Sequence, residues 1–306
     1  MKKLIKTAVL LIMMAAVVFA AERPGVVFVL TKEKNKFKQL SAMMVFAKDK
    51  EIYLCDSEAQ NIRIFTFDGA EQTWFSVKRP AGVTRDSGGN FYVLETDDNG
   101  SNFIGIYDNK FQKKNSIKIT DSPFPPTEKF SQIAIDNDDK LYITDEGNKV
   151  VLTVSVDGKY LRHFGKFPQE ENGKTLPSIS DICVDGQNKK LYIADAISSK
   201  IYVYKLNGKY LFEFGKGGGI MGELSQPCSV AVDADENAYV LDKMRHTVIV
   251  HDKAGKFIYE IGGKGEAEGW FYFPRYIAID PDKNLYVLES MINRFQALTI
   301  EKKNEK

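Results

Sequence analysis

Short runs of β-branched and aromatic residues, four to seven positions long and bounded by Asp, Asn, Gly or Lys, fill the chain from about residue 37 to 300. Runs of this length and composition predict β-strands separated by turns. One pattern recurs six times: Tyr, a branched aliphatic residue, any residue, then Asp or Glu. It begins at Tyr53, Tyr92, Tyr142, Tyr192, Tyr239 and Tyr286, at intervals of 39, 50, 50, 47 and 47 residues. Near-constant spacing of this kind means one supersecondary unit repeated along the chain.

Upstream of each tetrapeptide lies an apolar run that ends in aspartate at Asp86, Asp136, Asp185, Asp233 and Asp280, with Ala47 in the same slot of the first unit. This is a first strand, joined to the tyrosine strand by Asp/Asn turn chemistry. Downstream, runs such as Ile201-Tyr202-Val203-Tyr204 lead into Asp68-Gly69, Asp157-Gly158, Asn207-Gly208 or Ala254-Gly255. These pairs suit the positive φ of two-residue hairpin turns. A fourth strand follows, as in Lys209 to Gly215. Four antiparallel strands with apolar residues on both faces, repeated six times, predict an all-β fold, a six-bladed β-propeller.

The string Pro-x-x-Val-Ala-Val-Asp, Tyr-Val-x-Asp, a hairpin Gly and a closing Gly resembles the NHL repeat, best over residues 227 to 262. The resemblance spans about residues 37 to 300 and implies the six-bladed propeller of that family. The second unit departs most: it has an insertion at Asp97-Asp98-Asn99-Gly100 and lacks the hairpin glycine after Asp108. The sixth unit has only three strands before the charged tail, residues 301–306. Gly25 to Leu30 is strand-like with no other partner, so it is expected to supply the missing outer strand and close the ring.

Lys2, Lys3 and Lys6 precede an uncharged, mostly apolar run from Thr7 to Ala21. This reads as a signal peptide, residues 1–20, cleaved after Ala20, because the run falls short of the ~20 residues a membrane-spanning helix needs. The propeller then spans residues 21–300, and the protein is expected in the periplasm or secreted, without stable membrane insertion and as a monomer. Loss of the three lysines takes the formal charge from +1 to −2. No basic stripe is visible, which argues against nucleic acid as a partner and against the RNA binding known for cytoplasmic NHL proteins of animals. Cys55, Cys183 and Cys228 are too few and too irregular for a disulfide framework. Cys55 and Cys183 fall inside apolar strands and read as small buried hydrophobes, with a Cys183–Cys228 bridge between neighbouring blades open in an oxidising compartment.

Propellers present ligands at a mouth of the central channel. Counting back four positions from the first-strand aspartate slot gives Met43, Gly82, Gln132, Asp181, Ser229 and Tyr276; counting back five gives Ala42, Ala81, Ser131, Ser180, Cys228 and Arg275. Gln132, Asp181, Arg275 and Tyr276 stand out as ligand-binding candidates. Arg275 offers a planar donor fork for a carboxylate or sulfate, or alternatively pairs with Asp181 and plugs the channel. Tyr276 adds an apolar ring with a polar tip. His163, His246 and His251 are not expected to converge, so neither a metal nor a cofactor is expected; among NHL-containing families, the peptide-amidating lyases rely on such histidines. The repeated acids Asp56, Glu95, Asp145, Asp195, Asp242 and Glu289 read as acceptors for loop N–H groups rather than as a calcium or catalytic ring. Long connections at Lys166 to Leu176, Gly217 to Leu224 and Gly263 to Gly269 are expected to be mobile; Gly217-Gly218-Gly219 lacks the lysine-threonine and helix of a phosphate cradle. These features point to a non-catalytic binding or scaffold protein for a protein, peptide or glycan. The alternative is a lyase or hydrolase at the channel mouth, with Arg275 holding an anion and Tyr276 or Asp181 moving a proton.

Overall fold

The computed structural model describes residues 24–165 and 176–300. The signal segment, most of the Lys166 to Leu176 connection and the charged tail lie outside the described residues. Strand β1 (Gly25–Leu30) and a single helical turn (Lys32–Asn35) precede six blades. Blade 1 is β2 (Leu40–Phe46), β3 (Glu51–Asp56), β4 (Asn61–Thr66) and β5 (Glu71–Ser76). Blade 2 is β6 (Pro80–Arg85), β7 (Phe91–Thr96), β8 (Asn102–Tyr107) and β9 (Lys113–Ile117). Blade 3 is β10 (Phe130–Ile135), β11 (Leu141–Asp145), β12 (Val150–Val154) and β13 (Tyr160–Phe164). Blade 4 is β14 (Asp181–Asp185), β15 (Lys190–Asp195), β16 (Lys200–Lys205) and β17 (Tyr210–Phe214). Blade 5 is β18 (Pro227–Val232), β19 (Ala238–Asp242), β20 (Thr247–His251) and β21 (Phe257–Ile261). Blade 6 is β22 (Tyr276–Ile279), β23 (Asn284–Glu289) and β24 (Arg294–Thr299), completed by β1, which pairs antiparallel with β24. The all-β six-bladed propeller and its closure by the N-terminal strand are thus both present.

The core is not one cluster but a ring of layers between neighbouring blades. Tyr142, Val151 and Phe164 of blade 3 pack with Ile182, Leu191 and Tyr202 of blade 4. Tyr192, Ile201 and Val203 of blade 4 pack with Val230, Val240 and Ile249 of blade 5. Each sheet is apolar on both faces because each face meets another blade. At the seam, blades 6 and 1 share one cluster that includes Leu30, Phe65, Tyr286 and Phe295. Phe28 of the closing strand lies against Phe295, ring centroids 6.0 Å apart. Asn293 adds a second tie across the seam: its side-chain oxygen accepts from Leu40 N at 2.7 Å and its amide donates to Lys38 O at 3.1 Å.

The repeated tyrosine has a local cause. In blades 2, 3, 5 and 6 its hydroxyl donates to the first-strand aspartate: Tyr92 to Asp86 at 2.9 Å, Tyr142 to Asp136 at 3.0 Å, Tyr239 to Asp233 at 3.2 Å and Tyr286 to Asp280 at 2.9 Å. The same aspartates accept backbone N–H groups of the turn, as Asp136 does from Asp138 and Lys140. In each pair the tyrosine lies six residues after the aspartate. Blade 1 has Ala47 in the slot, and Tyr53 donates instead to Glu51 at 2.7 Å. Blade 4 has one extra turn residue, so Tyr192 falls seven after Asp185, and its buried hydroxyl has no partner among the described residues.

The hairpins differ from the expected two-residue turns. Gly69 N donates to Thr66 O and Thr66 N to Ala70 O, with a register shift between Ile64 and Phe65. This is a three-residue loop with a bulge whose last residue needs the left-handed conformation, and Gly69 takes it at φ 84°. In blade 2 Phe111 occupies that position at φ 62°, and its ring stacks on Phe75 of blade 1 at 4.6 Å. Inter-blade packing thus holds the outer hairpin that lacks a glycine. The Gly217 to Leu224 and Gly263 to Gly269 connections, expected to be mobile, are closed by backbone pairs, Leu224 N to Lys216 O and Phe271 N to Gly263 O, both 2.8 Å.

Two outcomes follow. Deleting residues 24–31 should leave β24 as a bare edge and yield oligomers with a lowered, broadened thermal transition by size exclusion and calorimetry; a sharp monomer that melts like the intact chain would contradict closure by β1. Tyr142→Phe should cost about 1–3 kcal/mol in urea unfolding, because it removes a buried bond to a carboxylate. Tyr192→Phe, with no bond to lose, should stay within about 0.5 kcal/mol of the parent; equal losses would refute the tyrosine–aspartate account.

Candidate functional site

The first strands of all six blades line the central channel, which encloses a cavity of about 300 Å³. Antiparallel pairing sets which residues share a level: Asp181 sits opposite Ala194 and Tyr276 opposite Leu288, so the start of each first strand lies beside the end of the second. At this level Met43, Gly82, Gln132, Asp181, Ser229 and Tyr276 all contribute to the cavity wall. Counting four back from the aspartate slot therefore picks out six residues that line the channel.

Its polar members are bonded to one another across blades. Ser229 Oγ donates to Asp181 at 2.5 Å and accepts from Ile277 N at 3.1 Å, which links blades 4, 5 and 6. Asp181 also accepts from Val230 N at 3.1 Å. Gln132 Nε2 reaches Tyr276 Oη at 3.3 Å, joining blade 3 to blade 6 on the far side of the channel, and lies 3.5 Å from Ser180 O. At Gly82 an added Cβ would stand 3.2 Å from Ile133, so a side chain here would crowd the wall. The four residues and Gly82 form a buried septum across the bore. Beyond it the wall is apolar and half-buried, with Val45, Ala134, Cys183, Val184, Val232 and Ile279, and it opens toward the first-to-second-strand turns.

Arg275 stands one residue outside the septum. Its guanidinium lies over the Tyr276 ring, 5.3 Å from the centroid, and makes no ion pair with Asp181. The pairing of Arg275 with Asp181 as a plug is therefore not formed; Asp181 is instead engaged by Ser229 and Val230. Tyr276 holds the Arg275 guanidinium above its ordinary range despite burial, and burial pushes the Tyr276 phenol up. Burial also raises Asp181 to about 6, against the opposing pull of Ser229, backbone N–H groups and Arg275.

Cys183, expected as a buried core residue, is half-buried and lines the channel, a position that the alternation of its strand could have shown. Burial pushes its thiol up to about 12, so it is a thiol and not a nucleophilic thiolate at neutral pH. The Cys183–Cys228 bridge is not formed; all three cysteines are free. Cys228 turns away from blade 4 toward Leu241 O and Pro274 O, both 3.4 Å from its sulfur.

The repeated acids hold loops. Asp242 accepts from the backbone N–H groups of Ser225, Gln226, Met244 and Arg245, and Asp56 from those of Lys38, Gln39 and Ala59. Glu289 likewise accepts from the backbone N–H of Tyr272, and from the Arg294 and Gln296 side chains as well, whereas Glu95 engages the side chains of Tyr107 and Lys113. The histidines lie apart: His246 Nδ1 accepts from Phe273 N at 3.0 Å, His163 meets Tyr160, and His251 sits between Phe214 and Phe257, where burial lowers it to about 4. Among the described residues no three His, Cys, Asp or Glu side chains are grouped to hold a metal ion. A second recess, about 560 Å³, lies between blades 2 and 3 against Phe103, Phe124, Pro125, Pro126 and Phe130, and the sequence reading did not find it.

Fold and channel together define a six-bladed β-propeller with a septum across its bore. A family profile described as a 6-bladed beta-propeller matches residues 223–301, which hold blades 5 and 6. The match extends to that architecture and not to the NHL repeat as such. No curated protein sequence matches the chain. Among solved structures, a protein of unknown function from Bacteroides thetaiotaomicron VPI-5482 is similar at a TM-score of 0.66 and 16% identity, covering 91% of this chain and 73% of that one. Virginiamycin B lyase from Staphylococcus aureus is similar at 0.58 and 16% identity, covering 85% and 80%. A streptogramin B lyase is similar at 0.61 and 12% identity, covering 90% and 98%. At these identities the likeness is one of fold alone.

The raised carboxyl of Asp181 has a signed consequence. Its folded value of about 6 exceeds the ordinary value of about 3.9, so this group favours folding at low pH and the contribution is lost as pH rises through about 4 to 6. Asp181→Asn should therefore gain stability relative to the parent over that interval, by roughly 2–3 kcal/mol, and level off above pH 7. Denaturant melts at pH 4, 5, 6 and 7 check this, and a difference independent of pH would refute it.

Proposed function

We propose that this chain is an exported, non-catalytic binding protein whose propeller presents one face to a protein, peptide or glycan. The observation that carries this reading is that Gln132, Asp181, Ser229 and Tyr276 spend their hydrogen bonds on one another and on backbone groups of neighbouring blades. A catalytic constellation would aim donors and acceptors at an open position beside a substrate. Here they lock four blades together, which makes a rigid frame for a surface. Rigid frames bind with little ordering cost. The apolar run with its preceding lysines at the N-terminus supports export.

One observation favours an enzyme instead. Asp181 is a buried carboxyl with a value of about 6, close to what a general acid or base requires, on a fold shared with lyases. That reading makes Asp181 the proton carrier and Arg275 the anion holder. The two are separable with purified full chain. On the binding reading, cross-linked capture from the periplasm or medium retains a defined species, the purified species rebinds, and virginiamycin B is unchanged on incubation. Turnover of virginiamycin B, or of any compound in a metabolite screen, that Asp181→Asn abolishes would establish the enzyme and overturn the proposal.

A further inference from the structure

The equivalent positions of the six blades offer an internal comparison. Two residues beyond each repeated acid, in the turn between second and third strands, stand Glu58, Asp97 and Gly147 in blades 1 to 3. In blades 4 to 6 the same position holds Ile197, Met244 and Met291, exposed at 71%, 53% and 64%. Ile220 and Met221, exposed at 69% and 38%, belong to the connection between blades 4 and 5, where the adjoining Gly222 lies against Phe257 and Glu260 of the outer strand of blade 5. A single exposed apolar side chain means little. Large ones at one structural position in three successive blades form an arc of the kind that marks an interaction surface.

The arc adjoins two cations that form no ion pair among the described residues. The second-to-third-strand turns and the starts of the first strands lie on one face of the ring, because the paired ends of first and second strands meet there. Arg275, half-buried, stands at the channel mouth on that face with its guanidinium over the Tyr276 ring and within reach of the Asp181 charge. Lys243, beside Met244, carries no ion pair among the described residues; it and Arg275 act on the Cys228 thiol, and Asp242 and Asp181 act on it in the opposite sense. The nearby acids are occupied: Asp242 by four backbone N–H groups, Glu289 by Arg294, and Glu223 by Lys216. The result is a recess at the channel mouth that holds two cations outside any ion pair among the described residues, with an apolar rim on one side.

We infer that this half-face takes the C-terminal end of a peptide or protein chain, with the terminal carboxylate on Arg275 and Lys243 and apolar side chains of the last few residues on Ile197, Met244 and Met291. A guanidinium fork suits a carboxylate, and its place at the channel mouth suits a chain end more than a flat bilayer. The methionines at the rim accommodate several apolar sequences, since unbranched thioether chains adjust their rotamers to fit. The inference rests on the binding reading above and names its face and ligand class.

The test uses full chain and random heptapeptides tethered by their N-termini, with C-termini as free acids or as amides. Wild type should retain free-acid peptides with Leu, Ile, Val, Phe or Met in the last three positions, and amidation should weaken a selected peptide at least tenfold. Arg275→Gln should remove the preference for acid over amide. Met244→Ser with Met291→Ser should weaken both forms about tenfold while melting as wild type does, since both side chains are exposed. Retention equal for acids and amides, retention unchanged by the paired methionine substitutions, or no retention would overturn the inference. So would flotation with phosphatidylglycerol vesicles in place of peptide capture. Failures are distinguishable: capture lost on Val184→Ser in the apolar channel, and not on the methionine or Arg275 substitutions, moves the site to the other mouth and leaves the binding reading intact. Turnover without capture removes both.

Discussion

A four-stranded sheet that is apolar on both faces cannot bury either by itself, and every other feature of this chain follows from that constraint. Each blade is stable only between two others, so a row of blades always leaves two apolar faces exposed until it closes on itself. Closure brings the first and last blades together over the cluster that includes Phe65, Tyr286 and Phe295. The chain secures that seam twice, at the rim through β1 on β24 and nearer the axis through Asn293 to Leu40 and Lys38. Residues more than two hundred and fifty positions apart are thereby made neighbours, which raises the entropy cost of closing the loop and makes the seam the joint on which the ring depends.

Much of this architecture was legible because repetition reports it. Six tyrosine tetrapeptides at nearly equal spacing give the blade count, and a sixth unit short of one strand gives the closing role of residues 25–30. The cause of the tyrosine was less visible. It lies in a distance of six residues to the aspartate slot, and it explains both exceptions: Ala47 forces Tyr53 onto Glu51, and the extra turn residue in blade 4 leaves Tyr192 unbonded. The hairpins show a different limit. Asp-Gly and Asn-Gly predict a turn, but whether the glycine lies in a two-residue turn or ends a bulged three-residue loop depends on strand twist, which composition does not encode. Phe111 in the left-handed region is intelligible only once Phe75 of the preceding blade is seen beneath it.

The candidate site divides in the same way. Register along the first strands places Gln132, Asp181, Ser229 and Tyr276 at one level, because a strand carries its neighbours' alignment with it. Register does not say which of them touch. The contacts that define the septum join residues 48 and 144 positions apart, and they turn a presumed ligand ring into an internal brace. The charged pair suggested by Asp181 and Arg275 gives way to a carboxyl held by Ser229 and a guanidinium left on an aromatic ring. Opposite charges at adjacent positions need not pair when a hydroxyl and a backbone N–H satisfy the acid more closely.

Repeats also sharpen functional reasoning, since each blade serves as a control for the others. What all six share answers to folding: the acids that hold loops, the tyrosines, the apolar faces. What one half of the ring has and the other lacks has no such explanation. Glu58, Asp97 and Gly147 show that the turn position in question folds well without a large apolar side chain, so Ile197, Met244 and Met291 are not there to build the blade. Exposing them carries a solubility cost that folding does not require. The septum bears on the same point. By bracing blades 3 to 6 against one another, it holds rigid the half of the ring in which the apolar arc and the unpaired Arg275 lie, so that a ligand meets a surface already in its binding shape.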